Sequence, residues 1–260
     1  MTVQVGVHDR IATVRIASGR PFNALDATTM RDLEQAWNDV DGDDEVRVVV
    51  LAGGEDVFSA GGDLKTVIDD VLDGNADWMV GPASRTYLKV GLTKPLVGAV
   101  RGLCLGGGFE LMLACDVRVA STSATFGLPE VRWGLYPGGG GPYRLCRQLP
   151  RAIAMELLLT GGTITAADAL RFGLVNRVTE PEDVEACALD LARRIAECGP
   201  IATRAVKAAT VQGDGLSASE AYELEARLAR AVSSSEDARI GVAAFRDKVP
   251  PAFGRQGSES

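Results

Sequence analysis

Apolar and polar residues alternate over positions 3–7 and 11–16, on either side of His8-Asp9, and that period of two predicts a β-hairpin. A helical period follows at about 27–40 and ends in the acidic stretch at 39–45. Residues 46–51 and 96–100 are β-branched or apolar almost throughout, which predicts two strands covered on both faces. Each runs on to a glycine-rich loop, Ser59-Ala60-Gly61-Gly62-Asp63 and Gly106-Gly107-Gly108, and each loop leads into a helix. Two such units predict neighbouring β/α turns that aim backbone amides at one spot. Farther on, Pro142 after the glycines at 138–141 predicts a helix to about Arg147, with helical segments at about 151–159 and 165–171 and a strand at 174–178. Positions 181–247 read as almost unbroken helix, with breaks at Gly199-Pro200 and Gly213-Asp214-Gly215. The chain thus divides into an α/β part, 1–196, and a helical part, 197–260, whose polar tail from 254 is expected to be disordered.

One position stands out against this pattern. Glu110 is the only charge in Leu103-Cys104-Leu105-Gly106-Gly107-Gly108-Phe109-Glu110-Leu111-Met112-Leu113-Ala114. A carboxylate buried there is costly unless it has a task or a partner. The glycines before it allow close approach to the backbone and open a helix whose first N–H groups lack intrahelical partners. Gly107 and Glu110 share a helix face, so free donors and an acid or base lie side by side. A second carboxylate, Glu130 in Phe126-Gly127-Leu128-Pro129-Glu130, is likewise framed by apolar residues.

Composition narrows the chemistry. The chain of 260 residues is 46% hydrophobic and 24% charged, enough to bury a full core. Its net charge of −8 argues against nucleic acid as a general partner. No apolar run approaches a membrane span, and the N-terminus carries no signal-peptide pattern, so a cytoplasmic protein is expected. Five widely spaced cysteines in apolar surroundings read as reduced and structural. With one histidine, His8 in the hairpin turn, a Ser-His-Asp or Cys-His mechanism has no base to recruit. There is no dinucleotide fingerprint, P-loop or nucleophile elbow, and no His/Cys cluster for a metal. Carboxylate chemistry with backbone donors remains.

The chain resembles the enoyl-CoA hydratase/isomerase (crotonase) family over residues from about 3 to 253. The resemblance is carried by Asn23-Ala24-Leu25, by Phe58-Ser59-Ala60-Gly61-Gly62-Asp63-Leu64-Lys65 and by Lys94-Pro95 through Gly102. Gly106-Gly107-Gly108, Glu110, Cys115-Asp116 and Phe126-Gly127-Leu128-Pro129-Glu130 extend it, as do Leu159-Thr160-Gly161, Gly173-Leu174-Val175 and Ala244-Phe245. It implies a spiral of β-β-α turns followed by a C-terminal helical trimerisation domain, assembled as a homotrimer or a dimer of trimers. It also implies acyl-CoA thioesters as substrates with no separate cofactor, and an oxyanion hole from the amides of Gly62 and Gly107. Contacts to substrate and coenzyme A carry over to Ala24, Ala60, Gly62, Asp63, Leu64, Lys65, Gly106, Gly107, Pro129, Gly138 and Lys248. Asp63 also reads as the cap of the helix after it.

Members that hydrate enoyl-CoA carry both acidic positions, so the pair Glu110 and Glu130 points to hydration. Glu110 would take the proton of the attacking water and Glu130 supply one to the α carbon, or the roles exchange. Another reaction through a thioester enolate, isomerisation or hydrolysis, is the alternative. Binding of RNA, which one relative performs through a lysine-rich helix, is disfavoured by the acidic stretch at 30–44. The chain departs from the family at Pro142-Tyr143, where Thr-Gln is frequent, at Val249, and in the short loop before Asn23. Val67, Ile68, Val71, Leu72, Trp78 and Met79 offer an acyl-pocket lining, although apolar residues at helical spacing are more often core.

Overall fold

The structure is a computed structural model and describes residues 1–63, 65, 68–69, 72–74 and 92–254. Leu64, most of the expected acyl-pocket residues and the tail beyond Gly254 lie outside the described residues.

The hairpin forms as its alternation predicts, with β1 (Val3–His8) antiparallel to β2 (Ile11–Ile16). Helix α1 (Ala27–Gly42) begins at Asp26, whose Oδ1 accepts the Thr29 N–H at 2.8 Å, and it buries Leu33, Trp37 and Val40. Strands β3 (Val48–Ala52) and β4 (Leu96–Val100) are buried on both faces, which is why they lack alternation. Val49 and Leu51 face the main core; Val48, Val50 and Ala52 face a smaller one with Val184, Ala188 and Ala192. Together with β6 (Val117–Ser121) and β9 (Arg177–Thr179) these strands make a six-stranded sheet of order β1-β2-β3-β4-β6-β9, parallel from β2 onward.

A second, three-stranded sheet lies across the chain's path: β5 (Leu103–Leu105), β7 (Thr125–Gly127) and β8 (Thr163–Thr165). Its strands are three residues long, too short for periodicity to register, and none of them was expected from the pattern. After β4 the backbone leaves the first sheet for the second within two residues, so β5, rather than a bare loop, delivers the glycine run. Helix α2 (Gly107–Leu113) follows at once. A 3₁₀ turn at Pro129–Trp133 follows β7, and then come α3 (Gly141–Gln148), α4 (Arg151–Thr160) and α5 (Ala166–Arg171).

Two expectations need correction. The strand placed at 174–178 starts at Arg177, because the amides of Leu174 and Val175 both turn back to the Ala169 carbonyl and close α5. The long helical stretch is four helices: α6 (Val184–Ala196), α7 (Pro200–Gly213), α8 (Ala218–Ser233) and α9 (Glu236–Asp247). The break the pattern missed is at Ser234-Ser235, where Ser235 caps α9 by accepting the Ala238 N–H at 3.2 Å. Helix α6 lies on the large sheet, whereas α7, α8 and α9 pack on one another. Buried Lys207 ties α7 back to the core, with Nζ 2.8 Å from the Asp116 carboxylate and 2.8 Å from the Lys94 carbonyl.

Candidate active site

Parallel strands β5 and β7 pair with Leu105 opposite Gly127, so the chains leaving their carboxyl ends emerge side by side. One continues into Gly106 and α2; the other continues into the 3₁₀ turn that carries Glu130. The two glutamates are thereby brought to one place, beyond the carboxyl ends of neighbouring strands. Gly106 makes the turn at φ +52° and ψ −131°, which only glycine adopts without strain, and its N–H donates to the Gly127 carbonyl at 2.9 Å. A Cβ at Gly106 would stand 3.0 Å from Glu130 Oε1.

Helix α2 is short, and its direction is set by what holds its ends. Phe109, Leu111, Met112 and Leu113 are buried, and the Phe109 ring lies 5.8 Å from that of Phe126 on β7. At its carboxyl end, buried Arg118 donates Nε to the Met112 carbonyl at 3.0 Å and Nη2 to those of Leu113 and Cys115 at 3.2 and 2.7 Å. Its Nη1 reaches the Leu174 carbonyl at 3.0 Å. The guanidinium places its positive charge at the negative end of the helix.

Glu110, in the first turn of α2, is 3% exposed. Its Oε1 accepts the Gly141 N–H at 2.8 Å, and the Gly139 amide also faces it. Burial pushes its carboxyl up to about 7, with the charge of Glu130 adding to the rise and the two amides and Arg144 opposing it. Burial likewise pushes Glu130 up to about 6. Glu130 Oε2 is buried without a hydrogen-bond partner among the described residues.

The first glycine loop is fastened to the second. The Leu105 amide donates to the Ser59 carbonyl at 2.9 Å, and Gly61, at φ +92°, packs so closely that a Cβ there would meet Gly107 N at 2.9 Å. On its other side the loop pairs with Leu25: the Leu25 amide donates to the Gly61 carbonyl and the Asp63 amide to the Leu25 carbonyl. In such a parallel bridge Gly62, between them, turns its own N–H away from Leu25. Neither the Gly62 nor the Gly107 N–H has an acceptor among the described residues. Asn23 organises this edge by donating Nδ2 to the carbonyls of Ile16 and Phe58 at 3.0 and 2.8 Å.

Most of the expected site residues thus converge. Ala24, Ala60, Gly62 and Asp63 share the first loop and its bridge; Gly106, Gly107 and Pro129 adjoin the glutamates; Gly138 enters the loop that faces Glu110. Asp63 Oδ1 accepts the Lys65 N–H at 3.1 Å, the capping contact expected of it, and Lys65 itself is exposed. Lys248 is not brought to the glutamates within this chain. It sits exposed at the end of α9 at φ +56°, and the segment after it is held against Arg10 and Arg47 through the carbonyls of Gly254 and Phe253. Ile68 and Leu72 are 53% and 79% exposed, so a buried pocket does not include them in this chain. Tyr143 departs from the family pattern without turning inward, since its hydroxyl donates to Asp214 at 2.6 Å under an Arg147 guanidinium 3.7 Å from its ring. Reasoning from sequence missed the partners of Glu110. The signal was present, because the glycines before Pro142 build a second helix N-terminus of the kind that receives anions.

A family model described as enoyl-CoA hydratase/isomerase matches residues 6–256. The chain belongs to that family. Among its relatives, enoyl-CoA hydratase EchA19 of Mycobacterium tuberculosis is 39% identical, the match covering 95% of this chain and 93% of that one. An (E)-benzylidenesuccinyl-CoA hydratase of Thauera aromatica is 35% identical, over 97% of this chain and 99% of that one. The crystal structure of enoyl-CoA hydratase from Mycobacterium tuberculosis H37Rv matches with a TM-score of 0.89 at 37% identity, covering 97% and 98% of the two chains. That of enoyl-CoA hydratase from Bacillus anthracis matches with 0.90 at 31%, covering 97% and 99%. The crotonase architecture expected from the residues is therefore the fold, and the two sheets with their helices are the spiral. Among the described residues no three His, Cys, Asp or Glu side chains gather as a metal site, and no helix is long and apolar enough to cross a membrane.

Proposed function

We propose that this chain is an enoyl-CoA hydratase, adding water reversibly across the 2,3 double bond of a 2-enoyl-CoA thioester. The observation that carries the reading is the pair of carboxyls, Glu110 buried and Glu130 half-buried, set beside two amides at Gly62 and Gly107 without acceptors among the described residues. The thioester oxygen accepts from both amides, and the enolate charge that develops on it in the transition state is held there. Water bound between the carboxyls gives a proton to Glu110 as its oxygen bonds to the β carbon. Glu130 delivers a proton to the α carbon as the enolate collapses. The reverse reaction starts with the proton on Glu110. One proton shared by the pair therefore serves both directions, each with its own placement.

Ala24, Ala60, Leu64 and Lys65 would receive the coenzyme A portion, and Lys248, remote within one chain, would reach a phosphate only across an assembly. The exposed Val206, Tyr222, Val242 and Phe245 on α7–α9 support residues 197–260 as the oligomerising unit. The test is loss of the conjugated ultraviolet absorbance of crotonyl-CoA on addition of purified protein. Hydration removes it, giving 3-hydroxybutyryl-CoA. A folded protein that leaves crotonyl-CoA and longer 2-enoyl-CoA thioesters unchanged contradicts the reading.

A further inference from the structure

Glu110 receives its hydrogen bond from Gly141, the first residue of α3, at the end of a run of four glycines that has no stiffness of its own. What holds it is Arg144, one turn into α3. Its Nη1 donates to the Gly139 carbonyl at 2.9 Å, while its own amide donates to the Gly140 carbonyl at 3.0 Å. The same short loop thus offers its carbonyls to Arg144 and its amides, from Gly139 and Gly141, to Glu110. The guanidinium is largely withdrawn from water, and the charge acting on it most strongly is that of Glu110.

We infer that Arg144 is a positioning residue for Glu110, clamping the 138–141 loop so that the Gly141 N–H meets Oε1 and setting a positive charge behind the carboxylate. Arg144 touches the loop rather than the reacting atoms. Among the described residues, the charged groups acting on Glu110 are Glu130 from the 3₁₀ turn, which opposes its ionisation, and Arg144 from α3, which favours it. The neighbours of Arg144 itself are Tyr143, Cys115 and Arg118; Arg118 is committed to four carbonyls and cannot take over the loop. On its far side Arg144 lines an open groove with Arg147, Gln148, Thr210 and Asp214, so a shorter side chain there leaves the apolar core intact.

The test rests on the hydratase reading in only one of its two arms. In the first, the protein is labelled with ¹³Cδ-glutamate, the Glu110 signal is assigned with Glu110→Gln, and its titration is followed by NMR in parent, Arg144→Gln and Arg144→Lys. Removing the charge raises the Glu110 midpoint by about one pH unit in Arg144→Gln. Arg144→Lys keeps the charge on a shorter, unforked side chain and falls between the two. In the second arm, crotonyl-CoA hydration by Arg144→Gln loses about tenfold in kcat with KM within about twofold, because the loss lies in the transition state. Absence of hydration in the parent would tell against the proposed activity alone and leave the titration to decide this inference. A folded variant of either kind whose Glu110 titrates as in the parent overturns it.

Discussion

Glu110 stands higher than Glu130 because it is more completely removed from water. Hydration needs one proton on the pair, so kcat/KM for the free enzyme follows a bell between the two macroscopic ionisations, with limbs near 6 and 7. The profile measured with crotonyl-CoA under subsaturating conditions checks this. The same burial has a stability consequence of definite sign. The folded state binds the Glu110 proton more tightly than the unfolded chain, so this group's contribution to stability is greatest below the unfolded value of about 4.5 and is lost as pH rises through about 7. Glu110→Gln escapes that loss. Its Tm is expected to match the parent near pH 4.5 and exceed it at pH 8 by the equivalent of about 1–3 kcal/mol, read by calorimetry at both pH values. At the backbone, Gly62→Pro removes an N–H and costs about 10²–10³ in turnover, measured on crotonyl-CoA with circular dichroism to verify the fold.

Elements were legible where they were long or strongly marked. The hairpin, α1 and the buried strands follow from alternation, an Asp26 cap and unbroken β-branched runs. Strands β5, β7 and β8 were not legible, because three residues display no period and pair only through the tertiary fold. That blind spot hid the reason the glutamates meet, which is the register of Leu105 against Gly127. Glu110 announced itself as a lone charge in an apolar stretch. Glu130 was marked more weakly, since Val131 and Trp133 in its apolar frame are exposed, and the family resemblance gave it its role. Arg118 and Arg144 looked like ordinary arginines, because their acceptors are backbone carbonyls that no sequence pattern displays. Helix α2 depends on the first of them. Arg118→Met removes the donors to the Cys115 and Leu174 carbonyls in the interior, while Met112 and Leu113 keep the Cys115 N–H and Gln148 Nε2, and it is expected to cost about 2–5 kcal/mol, read from urea denaturation.

At the scale of the molecule, the α/β part supplies every contact described around Glu110 and Glu130, and the helices α7–α9 show solvent a set of large apolar side chains. Phe245 at 88% exposed and Tyr222 at 72% are costly in a monomer, and we propose that copies of the chain cover them. Sedimentation at micromolar concentration is expected to give three or six times the chain mass of 27.3 kDa, and Phe245→Asp to shift it toward one. The central claim, however, is that two carboxyls act as one unit, and turnover of crotonyl-CoA by Glu110→Gln, Glu130→Gln and the double variant tests it most directly. Each single variant, folded by circular dichroism, is expected to lose at least about 10², and the double variant to lose much less than the product of the two. Near-parental turnover in either folded single variant, or losses that multiply fully, would contradict the account.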